Sequence, residues 1–436
     1  MMKKNRTIYF LLALVCLGLQ SCLFQEEDYF DDSSANRATA DVKRCSELLE
    51  AAPNGWVMEY YVGKDYSLGG ITVLCKFDGQ RVTMASQIAG ADETVSSLYS
   101  VKSEQATMLS FDTYNYLVHY FGQPQGSMAD DPNGTLGGDY EFVISDATAD
   151  RIELKGKKYG NRIVMKAFSA DQTWKQYLTR IKKVEDDAFF YEYDLRMDGL
   201  YTGQMLRSNY TFIVTYYDEV GKVHQKTVPF MFTTDGMRFH EPVTIDGQTM
   251  QNFVWKNEEI SFVCTDEGAT EVKLAGVYTA GYQSYDYYPG TYQMDFYRLN
   301  DATNQMEVAS QEIQLVKDED GKSYWLKGLE YDILVTYDKP RGGLSILPQF
   351  LKKVQGGYVY LAMWDLMNDY VLRSSAIGLI SYPTTDGIYL VDNGVWMGEI
   401  SGFIFGVYDS QDEEASFMGY TDAVAAIRLI KKTIEE

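Results

Sequence analysis

The sequence of 436 residues is poor in histidine and proline, and each shortage narrows the choice of protein class. Its three histidines, His119, His224 and His240, are widely spaced, and neither a His-Glu-x-x-His pattern nor a cysteine cluster occurs. We therefore expect no metal site and no cofactor. Only 9 prolines stand against 36 glycines, and tyrosine is abundant at 35. This balance indicates many turns and a β-rich chain.

Cysteine is also scarce, which argues against a disulfide scaffold. Cys22 belongs to a lipid-attachment pattern described below, and Cys45, Cys75 and Cys264 remain downstream of it. Three thiols cannot all pair within one molecule. Each lies among apolar residues, at helical spacing around Cys45 and in alternation around Cys75 and Cys264. We interpret the three as small core residues, in preference to disulfide partners or nucleophiles.

Positive charge is in short supply, with 39 basic against 62 acidic residues and a formal net charge of −23. Such an acidic surface repels the phosphate backbone of nucleic acids, and the sequence contains no stripe of basic residues to bind it. A nucleic-acid-binding protein is therefore excluded. The chain also lacks a Gly-x-Ser-x-Gly elbow and a phosphate-binding glycine loop, which disfavours a serine hydrolase of that type and nucleotide enzymes.

The first part of the chain predicts export. Three basic residues precede the apolar run Ile8–Leu19, which leads into Leu19-Gln20-Ser21-Cys22. A transmembrane helix is the alternative, but the run is about a dozen residues and a span needs roughly 20. We predict a signal peptide over 1–21, cleavage before Cys22, lipidation of Cys22 and thus attachment to a membrane through acyl chains. Residues 22–34 then form an acidic tether.

The remaining chain predicts a mainly β (α+β) fold of antiparallel meanders in sandwich or barrel-like domains, with a few short packing helices. A helix capped by Ser34 is expected over 35–52, and Trp56, Met58, Tyr60 and Val62 alternate with Glu59 on the other face. We expect three domains, over 35–168, 169–270 and 271–436, the second a possible repeat of the first.

Four further local predictions are made. A short helix begins after Asp112, a capping box joins Ser169 to Gln172, a strand spans Val395–Glu399, and Thr421–Ile434 is a helix in preference to a final strand.

Several stretches resemble a Bacteroidetes lipoprotein family of unknown function. These are Cys-Leu-Phe-Gln-Glu-Glu-Asp (22–28), Ala-Pro-Asn-Gly-Trp with Met-Glu-Tyr-Tyr (52–61), Leu-Ser-Phe-Asp-Thr-Tyr-Asn with His-Tyr-Phe (109–121), Gly-Gly-Asp-Tyr-Glu-Phe (137–142), Leu-Lys-Gly-Lys-Lys (154–158) and Thr-Asp-Gly-Met-Arg-Phe (234–239). The resemblance implies an outer-membrane lipoprotein, and acidic residues after Cys22 resemble the signal that exports such proteins to the cell surface. It also implies a TonB-dependent transporter complex of the SusC/SusD type as a partner. It implies no catalytic residues.

The densest aromatic stretch, Tyr282–Tyr297, offers the candidate ligand-binding residues Tyr285, Tyr287 and Tyr288. If they face solvent together, they would form a platform for a sugar or peptide. If they alternate across a strand, some would belong to the hydrophobic core and the others to its rim. Our leading hypothesis is a non-enzymatic surface lipoprotein that binds a glycan or peptide, or docks on an uptake complex. A surface hydrolase with a carboxylate pair and a structural or adhesin protein are the alternatives.

Overall fold

The computed structural model describes residues 33–432 except 125–133, 219, 301, 304 and 413. Two compact units can be distinguished. The first contains the described residues up to Asp186, with Ser208–Asn257 and Phe262–Val272. The second contains Asp187–Arg207, Glu258–Ser261 and the chain from Lys273 onward. The signal peptide, Cys22 and nearly all of the acidic tether lie outside the described residues.

The described chain is mostly antiparallel β-structure, which confirms the predicted fold class. Its α-helices are α1 (Ser34–Ala51), α2 (Tyr116–His119) and α3 (Trp174–Asp187). Among the described helices, none has the length and apolar character needed to cross a membrane.

The first sheet is a closed ring of eight strands in chain order. These are β1 (Trp56–Val62), β2 (Gly69–Asp78), β3 (Arg81–Ser86), β4 (Val95–Ser103), β5 (Thr107–Phe111), β6 (Glu141–Ala147), β7 (Arg151–Gly156) and β8 (Arg162–Ala167). The ring closes because β1 pairs with β8 as well as with β2. Trp56, Met58 and Tyr60 are buried inside it, as their alternation predicts.

Helix α1 packs into the interior of this ring through Cys45 and Leu49. The Trp56 indole Nε1 donates a buried hydrogen bond to the Leu49 carbonyl at 2.9 Å, which fixes the helix against β1. Helix α3 lies on the outside, where Leu178 packs with Leu74 and Phe168. The two helices therefore bury opposite faces of the same strands.

The second sheet is also a closed ring, in the order β10-β11-β12-β13-β14-β15-β16-β9. Its strands are β9 (Glu192–Met197), β10 (Leu200–Ser208), β11 (Thr211–Tyr217), β12 (Val223–Phe232), β13 (Gly236–Ile245), β14 (Gln248–Lys256), β15 (Ser261–Cys264) and β16 (Lys273–Val277). Alternate residues of β11 and β12 bury a stacked pair, Phe212 and Phe230, with ring centroids 4.4 Å apart.

The third sheet has twelve strands, in the order β17-β18-β19-β20-β21-β25-β26-β28-β27-β23-β22, and β24 pairs with β23. The strands are β17 (Gly290–Asn300), β18 (Gln305–Lys317), β19 (Ser323–Lys327), β20 (Ile333–Asp338), β21 (Gly343–Ile346), β22 (Gln349–Val354), β23 (Gly357–Asp365), β24 (Tyr370–Leu372), β25 (Leu379–Thr384), β26 (Gly387–Asp392), β27 (Gly402–Tyr408) and β28 (Phe417–Lys431). A further pairing of β17 with β28 joins eight of them into a ring.

The predicted helix over Thr421–Ile434 is wrong, because the segment up to Lys431 belongs to β28. Ala423, Val424 and Ala425 are all buried, and beyond the exposed Ala426 the buried residues Ile427 and Leu429 alternate with more exposed ones. Pairing with β17, β26 and β27 outweighs the helix propensity of alanine. The strand predicted over Val395–Glu399 is also wrong, since these residues form turns and bends between β26 and β27.

The predicted caps are displaced by one to four residues. Ser33, one residue before Ser34, caps α1 by accepting from the Asn36 amide. The capping box of α3 joins Thr173 to Gln176 instead of Ser169 to Gln172: the Thr173 amide donates to Gln176 Oε1, and the Gln176 amide donates to Thr173 Oγ1. Asn115, not Asp112, caps α2. The predicted domain limits stay predictions.

Candidate functional site

A cleft of about 450 Å³ lies between the outer face of the first ring and strands β13 and β14, entirely within the first compact unit. Its floor consists of outward side chains of β1, β7 and β8, and its wall comes from β13 and β14. The lining residues used below are Glu59, Tyr61, Tyr66, Arg151, Arg162, Val164, Lys166, Arg238, His240, Glu241, Gln251 and Asn252.

The alternation of β1 directs Glu59 and Tyr61 into this cleft. Met58 and Tyr60 fill the ring interior, so the residues between and after them point outward. Tyr61 pairs across the sheet with Gly70, which has no side chain and leaves room for the tyrosine ring on β2. The same strand therefore builds the core of the ring and the floor of the cleft.

Glu59 lies at the centre of a partly buried ion-pair triad. Its Oε1 is 2.7 Å from Lys166 Nζ, and its Oε2 is 2.5 Å from Arg238 Nη2. Burial raises the pKa of Glu59, but the charges and hydrogen bonds of Arg238 and Lys166 outweigh burial and hold the pKa below its ordinary value. Glu59 is therefore ionised at neutral pH, with both oxygens occupied by cations.

A large bulge in β13 places the side chains of His240 and Glu241 at the cleft. Arg238 pairs with Asn252 and Val243 pairs with Met250, so four residues of β13 face a single residue of β14, Gln251. The Gln251 side chain compensates for the lost ladder, because its Nε2 donates to the carbonyls of Phe239 at 3.2 Å and His240 at 3.4 Å. The bulge is thus held by side-chain hydrogen bonds.

Three rings form the aromatic side of the cleft. The His240 imidazole lies 4.2 Å from the Tyr61 ring and 4.1 Å from the Tyr66 ring, measured between centroids. Burial lowers the pKa of His240, and the charges of Arg238 and Arg162 act in the same direction against the opposing glutamates. The imidazole is therefore neutral near pH 7.

Tyr66 is held in a strained backbone conformation at this site. It has φ = +61°, directly after Asp65 with φ = +53°, in the left-handed region that bulky residues rarely adopt. The turn is fixed by a 3.3 Å hydrogen bond from the Arg162 amide to the Tyr66 hydroxyl. Strain of this kind is retained where the surroundings impose it, and it concentrates at functional sites.

The Tyr61 hydroxyl is buried without a hydrogen-bond partner among the described residues. Only 3% of Tyr61 is exposed. Burial raises the pKa of the phenol, and the neighbouring Arg238 guanidinium opposes that rise but is not in hydrogen-bond geometry with the hydroxyl. A buried hydroxyl left unpaired costs about 1–3 kcal/mol, which a ligand atom in the cleft would recover.

Two arginines stand at the rim of the cleft. Arg151 and Arg162 both donate through Nη2 to Glu153, at 3.0 and 3.1 Å. The Arg162 side chain is 72% exposed. Glu153 occupies only part of the five donors that each guanidinium carries, so the pair is a preformed polar rim.

The aromatic residues proposed from the sequence lie elsewhere, in the second compact unit. Tyr288 is fully buried and donates to the Gly342 carbonyl at 2.8 Å, whereas Tyr285 is partly buried and donates to the Ser323 carbonyl at 2.8 Å. Tyr287 is 39% exposed, with Lys431 Nζ 4.8 Å from its ring centroid. Their role in ligand binding stays a prediction.

The three downstream cysteines are buried free thiols, as predicted. Burial raises the pKa of the Cys264 thiol to about 11. In the part of the chain that the structure describes, no group of three or more potential metal ligands comes together.

Sequence reasoning placed Glu59 on the outward face of β1 but missed the cleft. Glu59 and Tyr61 belong to the stretch Met-Glu-Tyr-Tyr, and Arg238 belongs to Thr-Asp-Gly-Met-Arg-Phe, both noted above for a family resemblance. A signal was therefore present, because both stretches place a charged residue between apolar neighbours on strands. Their meeting across about 180 residues depends on the packing of β13 against β1.

Comparisons with known proteins give two matches to family models. A model described as a domain of unknown function (DUF4302) matches residues 26–257, and a second model with the same description (DUF4987) matches residues 265–404. A comparison with curated proteins finds no match. Among solved structures, a crystal structure of the vaccine antigen transferrin binding protein B from Haemophilus parasuis matches at 12% identity. It covers 84% of this chain and 67% of that chain with a TM-score of 0.12, which carries no argument about fold or function.

Proposed function

We propose that this chain, which belongs to the family described as a domain of unknown function (DUF4302), is a non-enzymatic lipoprotein of the outer cell surface. Cys22 carries its lipid anchor, and the cleft at Glu59 and Arg238 binds a nutrient ligand, a glycan or a peptide. Its partner would be a TonB-dependent transporter complex of the SusC/SusD type.

The observation that carries the binding function is that the polar groups of the cleft are held in fixed positions. Its charges are already fixed by the Glu59 triad, its bulge is held by Gln251, and the Tyr61 hydroxyl is buried and unpaired. Polar groups that are held in place lose little freedom when a ligand arrives, which favours affinity. A cleft with few polar groups and an aromatic side is the ordinary form of a small-ligand site.

The anchor is supported by the sequence at Leu19-Gln20-Ser21-Cys22 and by the acidic residues that follow it. An acidic tether is well solvated and favours separation of a folded body from the bilayer. These features support a location at the outer surface, where a nutrient-binding protein meets its ligand.

The cleft speaks against both alternative functions. A glycosidase with a carboxylate pair needs one protonated acid and one carboxylate that is free to act as nucleophile or base. The cations around Glu59 keep it ionised and occupy both of its oxygens, so Glu59 fits neither role. An adhesin or purely structural envelope protein would be expected to have a smooth surface without a polar cleft.

The test is calorimetric titration of the full mature chain with a panel of oligosaccharides and peptides. Val164→Trp fills the cleft from β8, and Val143→Trp places the same bulk on β6, outside the cleft lining and on the same ring. We expect Val164→Trp to abolish binding and Val143→Trp to leave it intact. Equal binding by both variants would remove the cleft from the function, and turnover of any probe would contradict the non-enzymatic assignment.

A further inference from the structure

We infer that the ligand of the cleft is an acidic glycan, recognised through the carboxylate of a sugar ring. This inference rests on the proposed binding function and deepens it. It assigns the carboxylate to the rim arginines Arg151 and Arg162 and a sugar hydroxyl to the buried hydroxyl of Tyr61.

The first argument is a local reversal of charge. The whole chain carries a formal net charge of −23, yet the cleft lining holds four basic side chains, Arg151, Arg162, Lys166 and Arg238, against two acidic ones, and these four still outnumber the acids when Glu153 at the rim is counted. Low-dielectric walls strengthen such a local field above its value in open solvent. On a surface that repels anions elsewhere, the cleft is a place where an anion is favoured.

The second argument is the division of labour among these cations. Arg238 and Lys166 neutralise Glu59 at the floor, where they are needed for burial. At the more exposed rim, Arg151 and Arg162 both pair with Glu153. A guanidinium pair that is held by one carboxylate and still has donors to offer is suited to a second carboxylate, in the forked geometry that arginine favours.

The third argument separates a sugar from a peptide. Extended peptides bind by adding a strand to an open sheet edge, but β1, β8 and β14 each already pair with a strand on both sides. In the bulge of β13, where the ladder is interrupted, the carbonyls of Phe239 and His240 already accept from the Gln251 side chain. A sugar needs a ring face and hydrogen-bonding groups instead, which the Tyr66 and His240 rings and the amide of Asn252 provide.

The fourth argument is the unpaired Tyr61 hydroxyl. It gains a partner only if something with a donor or acceptor reaches the floor beside Arg238. A ring hydroxyl next to a carboxylate supplies such an atom while the carboxylate remains at the rim.

The experiment is titration of the full mature chain with uronic-acid and sialyl oligosaccharides, each paired with its carboxyl-reduced counterpart. We expect the acidic form to bind at least about tenfold tighter than the reduced form, because charge-assisted hydrogen bonds contribute about 1.5–3 kcal/mol. Arg162→Gln and Arg151→Gln should each weaken the acidic form about tenfold and leave the reduced form unchanged. Arg81→Gln, at an exposed arginine of the same ring outside the cleft, is the matched control.

A second variant distinguishes a loss of binding from a loss of folding. Tyr61→Phe removes a hydroxyl that has no hydrogen-bond partner among the described residues, so the urea midpoint should stay the same or rise while affinity for the acidic glycan falls about fivefold to tenfold. Equal affinity for acidic and reduced forms, or unchanged binding by Arg162→Gln, would overturn the inference and leave the binding function standing. Binding of polyglutamate in place of the glycans would assign the cleft to a peptide. If no probe in either panel bound, the proposed function itself would fail.

Discussion

Replacing Arg238 with methionine tests whether the buried triad holds the cleft together. Arg238 and Glu59 have side chains only 24% and 13% exposed, and their atoms meet at 2.5 Å. Arg238→Met leaves Glu59 buried with Lys166 as its remaining cation. Removing one member of a buried pair costs about 3–5 kcal/mol, and we expect the lower end, about 3 kcal/mol, because Lys166 remains.

Further variants measure how strongly the charges of the triad depend on one another. Lys166 is 44% exposed, so Lys166→Met should cost about 1 kcal/mol or less. The double variant Glu59→Gln with Arg238→Met removes both charges, and it should be less destabilised than Arg238→Met alone. With the single variant Glu59→Gln the double-mutant cycle is complete, and the loss in the double variant should be about 2 kcal/mol smaller than the sum of the losses in the two single variants.

The assay is urea unfolding of the full chain with hydrogen exchange followed on peptides from β1 and β13. Peptide resolution is needed because a chain with several folded parts does not unfold in a single step. The slopes of the unfolding curves should stay constant while the midpoints of these two strands shift together. A loss below about 0.5 kcal/mol in Arg238→Met, or a larger loss in Lys166→Met, would refute the central role of this pair.

Three more predictions concern packing, pH and the anchor. Gly236→Ala would place its Cβ 1.9 Å from the Phe253 carbonyl oxygen and should lower the free energy of unfolding by about 3 kcal/mol. Gly90→Ala is the control, because the atom nearest to its Cβ would be 3.5 Å away and the urea midpoint should hardly move. The pKa of His240 in the folded chain lies below its ordinary value of 6.5, so the unfolded chain binds more protons near that pH. The contribution of His240 to the free energy of unfolding should therefore be fully present above pH 6.5. It should decrease as the pH falls below 6.5, by at most about 1.4 kcal/mol per pH unit. His240→Phe should flatten that slope in urea midpoints measured at pH 7.5 and 5.5, and an unchanged slope would assign it to other groups. Cys22→Ala should abolish palmitate labelling and membrane retention in cell fractions, and retention without the cysteine would contradict the anchor.

The sequence allowed the first ring to be predicted in part because its pattern is local. Alternation from Trp56 onward, Gly69-Gly70 and the turn at Asp78-Gly79 each act on residues next to them. Closure of the ring by β1 and β8 joins residues more than 100 positions apart, and no local pattern encodes that pairing. Glu59 was placed on the correct face for the same local reason.

The cleft and the last strand show where local patterns fail. The partner of Glu59 is supplied by β13, and the bulge that shapes β13 depends on the side chain of Gln251 rather than on a glycine or proline. In Thr421–Ile434 the apolar residues fit a helical and an alternating pattern about equally well. The neighbouring strands decide between the two, and they are visible only in the folded sheet.

Strand β28 is shared between two parts of the third sheet, and this has a mechanical consequence. It bends at Ala426, where φ is +49°; the residues before the bend pair with β27, and those after it pair with β26. The ring of eight and the lateral strands β27, β23 and β22 therefore have one chain segment in common. Pulling on this segment from the chain terminus would load both assemblies at once, so they should yield in a single rupture event instead of peeling apart strand by strand.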